Sequence, residues 1–239
     1  MYDHLLLDAD GTLFDFLAAE RWAIGRLLEL LGKEPLAETM ALYSHLNHQT
    51  WLAFEKGELS MEQLKTERFR RFFDHINMNV DPSKASNLYS QFLGQTHHLY
   101  PDALDALKQI QSMGIPMSMI TNGITVVQKG RIEASKIGPF FTHIIISEEI
   151  GVQKPDPRYF EKTLSIIKEA NDPCSACLVI GDSLSSDIKG GIDSNLDTCW
   201  VNRNQETLPA DLRPTYEISD LSQLPPLIAQ LCLQAPHQK

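Results

Sequence analysis

Short apolar runs and helical periodicities alternate along most of the chain. The chain opens with Leu5-Leu6-Leu7, which ends in Asp8-Ala9-Asp10-Gly11-Thr12. That order predicts a buried strand running into a tight turn. From about Phe16 to about His98 the texture is helical, with apolar residues at helical spacing in Trp22-Ala23-Ile24-Gly25-Arg26-Leu27-Leu28 and again in Trp51-Leu52-Ala53-Phe54. Ser60 is expected to cap a helix over residues 61–73, and Asp81-Pro82 to open another. After Tyr100-Pro101 the pattern changes. Helices are expected over residues 102–113, 126–135, 158–170 and 184–194, alternating with strands over 116–120, 143–147, 177–180 and 197–201. Such alternation implies right-handed crossovers and a parallel sheet covered on both faces. The first strand belongs to that sheet by character but is cut off from it by the helical stretch. The expected architecture is an α/β core interrupted by a helical insertion, with residues 1–14 and 99–239 as core and 15–98 as insertion.

Composition narrows the classes without changing this picture. The chain has 239 residues, 43% hydrophobic and 22% charged, as an ordinary globular protein has. Its formal net charge is −10. An acidic surface repels phosphate backbones, so no nucleic-acid polymer is expected as a partner, while one small phosphorylated molecule in a local site stays possible. No apolar run approaches the length of a membrane span, and Met1-Tyr2-Asp3-His4 lacks the order of a signal peptide. A soluble, cytoplasmic protein without membrane attachment is the expectation. Cys174 and Cys177 form C-x-x-C, but no second metal-binding pair accompanies them, and Cys199 and Cys232 lie apart. Buried reduced thiols are expected.

Open parallel sheets place ligands beyond the carboxyl ends of their strands. Four segments stand there: Asp8-Ala9-Asp10-Gly11-Thr12, Thr121-Asn122-Gly123, Lys154-Pro155-Asp156-Pro157, and Gly181-Asp182-Ser183 with Asp187 following. Asp8 and Asp10, two residues apart, can face the same side. One carboxylate there can attack phosphorus, and the other can protonate the leaving oxygen and then deprotonate a water. The same residues also suit an Asx turn closing a strand. Thr121 offers a hydroxyl, and Asn122 and Gly123 offer main-chain N–H groups, to a phosphate oxygen. Lys154, pinned by flanking prolines, can neutralise phosphoryl oxygens and Asp8. Carboxylates clustered near a dianionic substrate need a cation, and hard oxygen ligands beside phosphate favour Mg²⁺. Asp187 taken alone fits a helix N-terminal acid better than a metal ligand.

The set Asp8-Ala9-Asp10-Gly11-Thr12-Leu13, Thr121, Lys154-Pro155 and Gly181-Asp182 with Asp187 resembles the haloacid dehalogenase superfamily in its phosphatase branch. The resemblance implies a Rossmann-like, doubly wound core with a helical cap inserted after the first motif. It implies Asp8 as nucleophile and Asp10 as general acid and base. It further implies a Mg²⁺ site made by Asp8, the Asp10 main-chain oxygen and Asp182, with Asp187 in support, and Thr121 and Lys154 on the phosphoryl group. The segments Trp51-Leu52-Ala53-Phe54-Glu55-Lys56-Gly57-Glu58-Leu59 and Ser186-Asp187-Ile188-Lys189-Gly190-Gly191-Ile192-Asp193, continuing into Thr198-Cys199-Trp200-Val201-Asn202, look like the bacterial pyrimidine 5′-nucleotidase branch. That likeness implies nucleoside monophosphate substrates.

Other readings remain open on the same residues. A phosphatase for sugar phosphates or phosphoglycolate uses the same rim, and a phosphomutase also keeps Asp10. A haloacid dehalogenase uses an Asp nucleophile but needs no acid for a leaving phosphate ester, which sets Asp10 against it. A phospho-acceptor switch domain combines Asp, Thr, Lys and Mg²⁺ but is about half this length. Within the insertion, Asn47, His48, Gln49 and Trp51 are the candidates to read a leaving group, although an aromatic residue at helical spacing such as Trp51 is more often core.

Overall fold

The computed structural model describes residues 2–234. In chain order the elements are β1 (His4–Asp8), α1 (Phe16–Leu30), α2 (Ala37–Glu55), α3 (Met61–His75), α4 (Pro82–Gly94), α5 (Ala103–Ser112), β2 (Met117–Thr121), α6 (Thr125–Ser135), β3 (His143–Ile146), α7 (Ser147–Ile150), α8 (Pro157–Glu169), β4 (Cys177–Gly181), α9 (Lys189–Asp193), β5 (Asp197–Val201), β6 (Tyr216–Ile218) and α10 (Leu224–Gln234). They fall into two compact units: residues 1–15, 99–123 and 136–239, and residues 16–98 with 124–135.

The first unit holds a six-stranded parallel sheet in the order β3-β2-β1-β4-β5-β6. This is the doubly wound α/β architecture expected from the alternation of strands and helices. Residues of β1, β2 and β4 are buried along their whole length, as parallel strands covered on both faces must be. Leu6, Ile120 and Val179 from these strands join Tyr159, Phe160 and Ile167 of α8 in one apolar cluster. Asp156 caps α8 by accepting from Arg158 N, and Pro157 sits in its first turn, where a missing N–H costs nothing. The direction of winding reverses at β1, which lies between β2 and β4. The carboxyl ends of β1 and β4 therefore form the switch point where such sheets bind ligands.

The second unit is all helical. Ser60 and Gln63 close a reciprocal capping box at the start of α3, and Asp81 with Pro82 opens α4. Tyr43, Phe69, Phe72 and Tyr89 form an aromatic core, Tyr43 lying 5.3 Å from each of the other three ring centroids. Within this core Asn47 donates to Glu20 at 2.6 Å and accepts from Arg68 at 3.2 Å, and the Arg68 guanidinium lies 5.0 Å from the Tyr89 ring. Helix α6, read from the sequence as part of the core, groups with this unit. It packs on α4 across Gly94 and Gly130, where a Cβ on Gly130 would stand 2.5 Å from the Gly94 carbonyl oxygen.

Two local features differ from the sequence expectation. Residues 184–194 do not form one continuous α-helix: Leu184–Ile188 is a π-type turn that runs into the short α9. The chain after Val201 adds β6 and α10, which the residue pattern did not mark. No helix among the described residues is long and apolar enough to cross a membrane. All four cysteines are free thiols, the sulfurs of Cys174 and Cys177 standing 3.5 Å apart; Cys177 and Cys199 are buried, Cys174 and Cys232 only partly so.

Candidate active site

Every rim residue singled out in the sequence lies in the sheet unit. Asp8 ends β1, Thr121 ends β2, and Gly181 ends β4 with Asp182 directly after it. The parallel register sets these ends side by side, with Asp8 opposite Ile120 and Leu7 opposite Ile180. Carboxylate oxygens of Asp8, Asp182 and Asp187 lie within 4.8 Å of one another. The Asp10 side chain is not in that group; Asp10 is half-buried and its backbone bridges to Phe14.

Lys154 enters this cluster from the loop before α8. Its ammonium donates to Asp8 Oδ1 at 2.7 Å, to Asp187 Oδ1 at 2.6 Å and to the Ile120 carbonyl at 3.0 Å. The lysine is 1% exposed, so its charge is desolvated and directed by three fixed acceptors. Burial alone would lower its pKa, but the charges of Asp187 and Asp8 outweigh that and raise it. The ammonium therefore stays protonated. Burial pushes Asp8 well above the usual carboxylate range, against the pull of Lys154, and the charges of Asp187 and Asp182 push the same way. Burial together with the charge of Asp187 pushes Asp182 up to about 7. Three carboxylates facing one ammonium leave negative charge that a divalent cation with hard oxygen preference would relieve.

Two glycines make the cluster possible. Gly11 has φ +86°, and a Cβ there would collide with the Asp182 carboxylate. A Cβ on Gly181 would collide with the Asp187 carboxylate. Asp187 reaches its place because the 183–187 turn folds back on itself: Ser183 N donates to Asp187 Oδ2 at 3.2 Å and Asp187 N donates to the Ser183 carbonyl at 3.0 Å. With Lys154 on one oxygen and Ser183 on the other, Asp187 fixes the lysine and the turn together.

Thr121 is buried, and its hydroxyl oxygen accepts from Gly123 N at 3.0 Å. That N–H, expected to face a phosphate oxygen, already has an internal partner. The part of Asn122 that matters to this geometry is its side chain, which accepts from Lys154 N and donates to the Lys154 carbonyl, both at 2.8 Å. It thereby orients the main chain from which the lysine reaches inward. Two more residues hold the acidic cluster, each inside a segment singled out in the sequence but given no role there. The Thr12 hydroxyl donates to Asp182 Oδ1 at 3.2 Å and accepts from Asp182 N at 3.1 Å. The Trp200 indole donates to the Asp182 carbonyl at 2.9 Å. The strand position of Trp200, one place from the end of β5, was the available signal.

In the helical unit, Asn47 does not stand free to read a ligand: it is 1% exposed and bridges Glu20 to Arg68. His48 and Gln49 are exposed, Gln49 touching His45 at 2.9 Å, and Trp51 is half-buried edge-on to Phe54.

The chain resembles known proteins over nearly its whole length. It is 36% identical over 224 residues to the HAD-hydrolase YfnB of Bacillus subtilis, covering 93% of this chain and 94% of that protein. It is 35% identical to the pyrimidine 5′-nucleotidase PynA of Streptococcus pneumoniae, with 91% of each chain covered. It is 30% identical to the pyrimidine 5′-nucleotidase YjjG of Escherichia coli, over 96% of this chain and 99% of that one. Among solved structures, magnesium-bound YfnB superposes with a TM-score of 0.88 at 33% identity, covering 95% of this chain and 98% of that one. The family model for haloacid dehalogenase-like hydrolases matches residues 2–195, and the chain belongs to that family.

Proposed function

We propose that this hydrolase cleaves phosphomonoesters with the help of Mg²⁺ by way of an aspartyl phosphate on Asp8, and that its substrates are nucleoside monophosphates with pyrimidine bases. The observation that carries the reading is the buried Lys154 ammonium held between Asp8 and Asp187 at 2.7 and 2.6 Å. A cation so desolvated and so aimed matches the charge on a phosphoryl group in transfer better than it matches a neutral substrate.

The residues present fit a hard divalent cation. Asp8, Asp182 and the main-chain oxygen of Asp10 would hold it, with Asp187 in support through Lys154 and the 183–187 turn. When bound, it would screen the phosphoryl oxygens from the carboxylates around them. In the first half-reaction an Asp8 oxygen forms a bond to phosphorus, the bond from phosphorus to the leaving oxygen breaks, and Asp10 gives that oxygen a proton. In the second, water bonds to phosphorus while Asp10 takes its proton, and the bond to Asp8 breaks, releasing phosphate. Lys154 and the Thr121 hydroxyl bind the phosphoryl oxygens throughout, with the main-chain N–H groups of Asn122 and Gly123 available once Gly123 leaves Thr121.

The preference for pyrimidine nucleotides is supported by the names of PynA and YjjG and by the extent of their match. Asp10 favours ester hydrolysis over dehalogenation, since a departing halide needs no proton. The test is phosphate release from a panel of nucleoside monophosphates, sugar phosphates and p-nitrophenyl phosphate, with Mg²⁺ and with a chelator. Chelator-sensitive release that is fastest with pyrimidine nucleotides is expected. Sugar phosphates outranking every nucleotide would remove the nucleotidase assignment, and release from none of them would remove the phosphatase one.

A further inference from the structure

Residues 9–14, the turn that carries Asp10, close largely on themselves. Leu13 N and Phe14 N donate to the Ala9 carbonyl at 2.9 and 2.8 Å, and Gly11 N donates to the Phe14 carbonyl at 2.9 Å. The carbonyls of Thr12 and Leu13 are met from outside the turn. Tyr100 N donates to Leu13 at 2.9 Å, and Arg203 Nη2 donates to Thr12 at 3.1 Å. These two outside partners lie on each other, with the Arg203 guanidinium carbon 3.8 Å from the Tyr100 ring centroid. Arg203 Nη2 also pairs with Asp102 at 3.1 Å. Asp102 stands where a helix cap would stand for α5 but makes no capping bond; its carboxylate accepts from Arg203 and from Leu221 N.

A flat guanidinium can lie on an aromatic face while donating in its plane to a carbonyl and a carboxylate, which an ammonium on a flexible stem cannot do. The Arg203 side chain is only 16% exposed, and its Nε finds no acceptor among the described residues. A largely covered cation with an unsatisfied donor adds little stability, so these contacts fit a geometric part better. The geometry reaches the acidic cluster in one further step. Thr12, whose carbonyl Arg203 holds, exchanges two hydrogen bonds with Asp182 through its hydroxyl. Trp200, three residues before Arg203, holds the carbonyl of the same Asp182.

We propose that Arg203, clamped by Tyr100 and Asp102, is a positioning residue that sets the Asp8–Thr12 turn against Asp182. It touches neither the carboxylate cluster nor Lys154, and it lies beyond the residues matched by the family model. Its kinetic consequence rests on the phosphatase reading given above; its effect on the acidic cluster does not.

The test compares Arg203→Ala and Arg203→Lys with the wild-type protein. The readouts are circular dichroism, a Mg²⁺ titration followed by tryptophan fluorescence, and phosphate release from an alkyl phosphate and from p-nitrophenyl phosphate. Both variants are expected to fold and to need several-fold more Mg²⁺ for half-saturation. Displacing a catalytic turn by about 1 Å can lower kcat by about 10²-fold. A loss of that order is expected on the alkyl ester, with a smaller one on the nitrophenyl ester and little change in KM. Added guanidinium ion should restore part of the Arg203→Ala loss and do nothing for the wild type. A folded Arg203→Ala with an unmoved Mg²⁺ midpoint and kcat within about twofold of wild type on both esters overturns the proposal. If Arg203→Ala does not fold, Arg203→Lys, which keeps the charge, decides on the same readouts. If the wild type releases no phosphate, the phosphatase reading fails, and the Mg²⁺ midpoint alone decides the clamp.

Discussion

Lys154 and Asp187 form a 2.6 Å ion pair in which each side chain is 1% exposed. Lys154 also pairs with Asp8 at 2.7 Å, so losing Asp187 does not strand the ammonium, and it removes a charge that pushes Asp8 and Asp182 up. Asp187→Ala is therefore expected to destabilise the protein by less than the ~3–5 kcal/mol of a fully stranded partner. Urea unfolding of the metal-free protein measures it. The same variant should lose phosphate release, since Lys154 would then hold only Asp8 and the Ile120 carbonyl. A loss of the full ~3–5 kcal/mol would mean that Asp8 does not keep the ammonium paired.

Metal affinity and stability should both follow pH through Asp182. Its carboxyl is pushed up to about 7 by burial and by the charge of Asp187, against about 3.9 in an unfolded chain. Between these values the folded protein holds a proton that the unfolded chain has lost. Stability of the metal-free protein therefore falls as pH rises through that window, and Asp8 pushes the same way. Buried His4, whose pKa is lowered by desolvation, works in the opposite direction as pH falls. The gain in Tm on adding Mg²⁺ cancels the His4 contribution, and it should be larger near pH 8 than near pH 6. Equal gains at both would separate the metal from Asp182.

Asp10→Asn should lower kcat by roughly 10²–10⁴-fold on nucleotides, the range for a lost general acid and base. In kcat/KM, which stops at formation of the aspartyl phosphate, the loss should shrink with p-nitrophenyl phosphate, whose leaving group needs no proton. Equal losses of kcat/KM on both esters would take Asp10 out of protonating the leaving group.

Asn47 belongs to the interior of the helical unit rather than to a ligand surface. Asn47→Ala would leave Glu20 without its 2.6 Å donor and Arg68 without its 3.2 Å acceptor. A loss of about 1–3 kcal/mol is expected on thermal unfolding, while the ratio of kcat/KM between two nucleotides stays put. The exposed His48 and Gln49 are the better candidates for changing that ratio.

The strands, their order of appearance and the residues beyond their ends were legible because parallel strands buried on both faces leave nearly continuous apolar runs. Leu5-Leu6-Leu7 before Asp8 and Leu178-Val179-Ile180 before Gly181 are such runs. The pairing of Lys154 with Asp8 was legible from their places beyond the strand ends, but its 2.6 Å contact with Asp187 was not, since Asp187 reaches the lysine only through the fold of the 183–187 turn. Arg203 was missed, and Trp200 was noted without a role, because their partners are carbonyls that no sequence pattern displays. Asn47 looked like a surface polar residue on a helix, yet its amide matches two buried charges at once. Strand β6 has only three residues, too few for alternation to register. The grouping of α6 with the helical unit turns on Gly94 and Gly130, two small residues whose meaning appears only when the helices cross.

The most direct measurement of the central claim is to trap the covalent intermediate. Enzyme mixed with a nucleoside monophosphate and Mg²⁺ is quenched within one turnover, reduced with borohydride, digested and sequenced by mass spectrometry. An aspartyl phosphate is reduced to homoserine, so homoserine is predicted at position 8, only when substrate and Mg²⁺ are both present and not in Asp8→Asn. Rapid phosphate release with Asp8 unmodified throughout, or homoserine at another aspartate, would contradict the account.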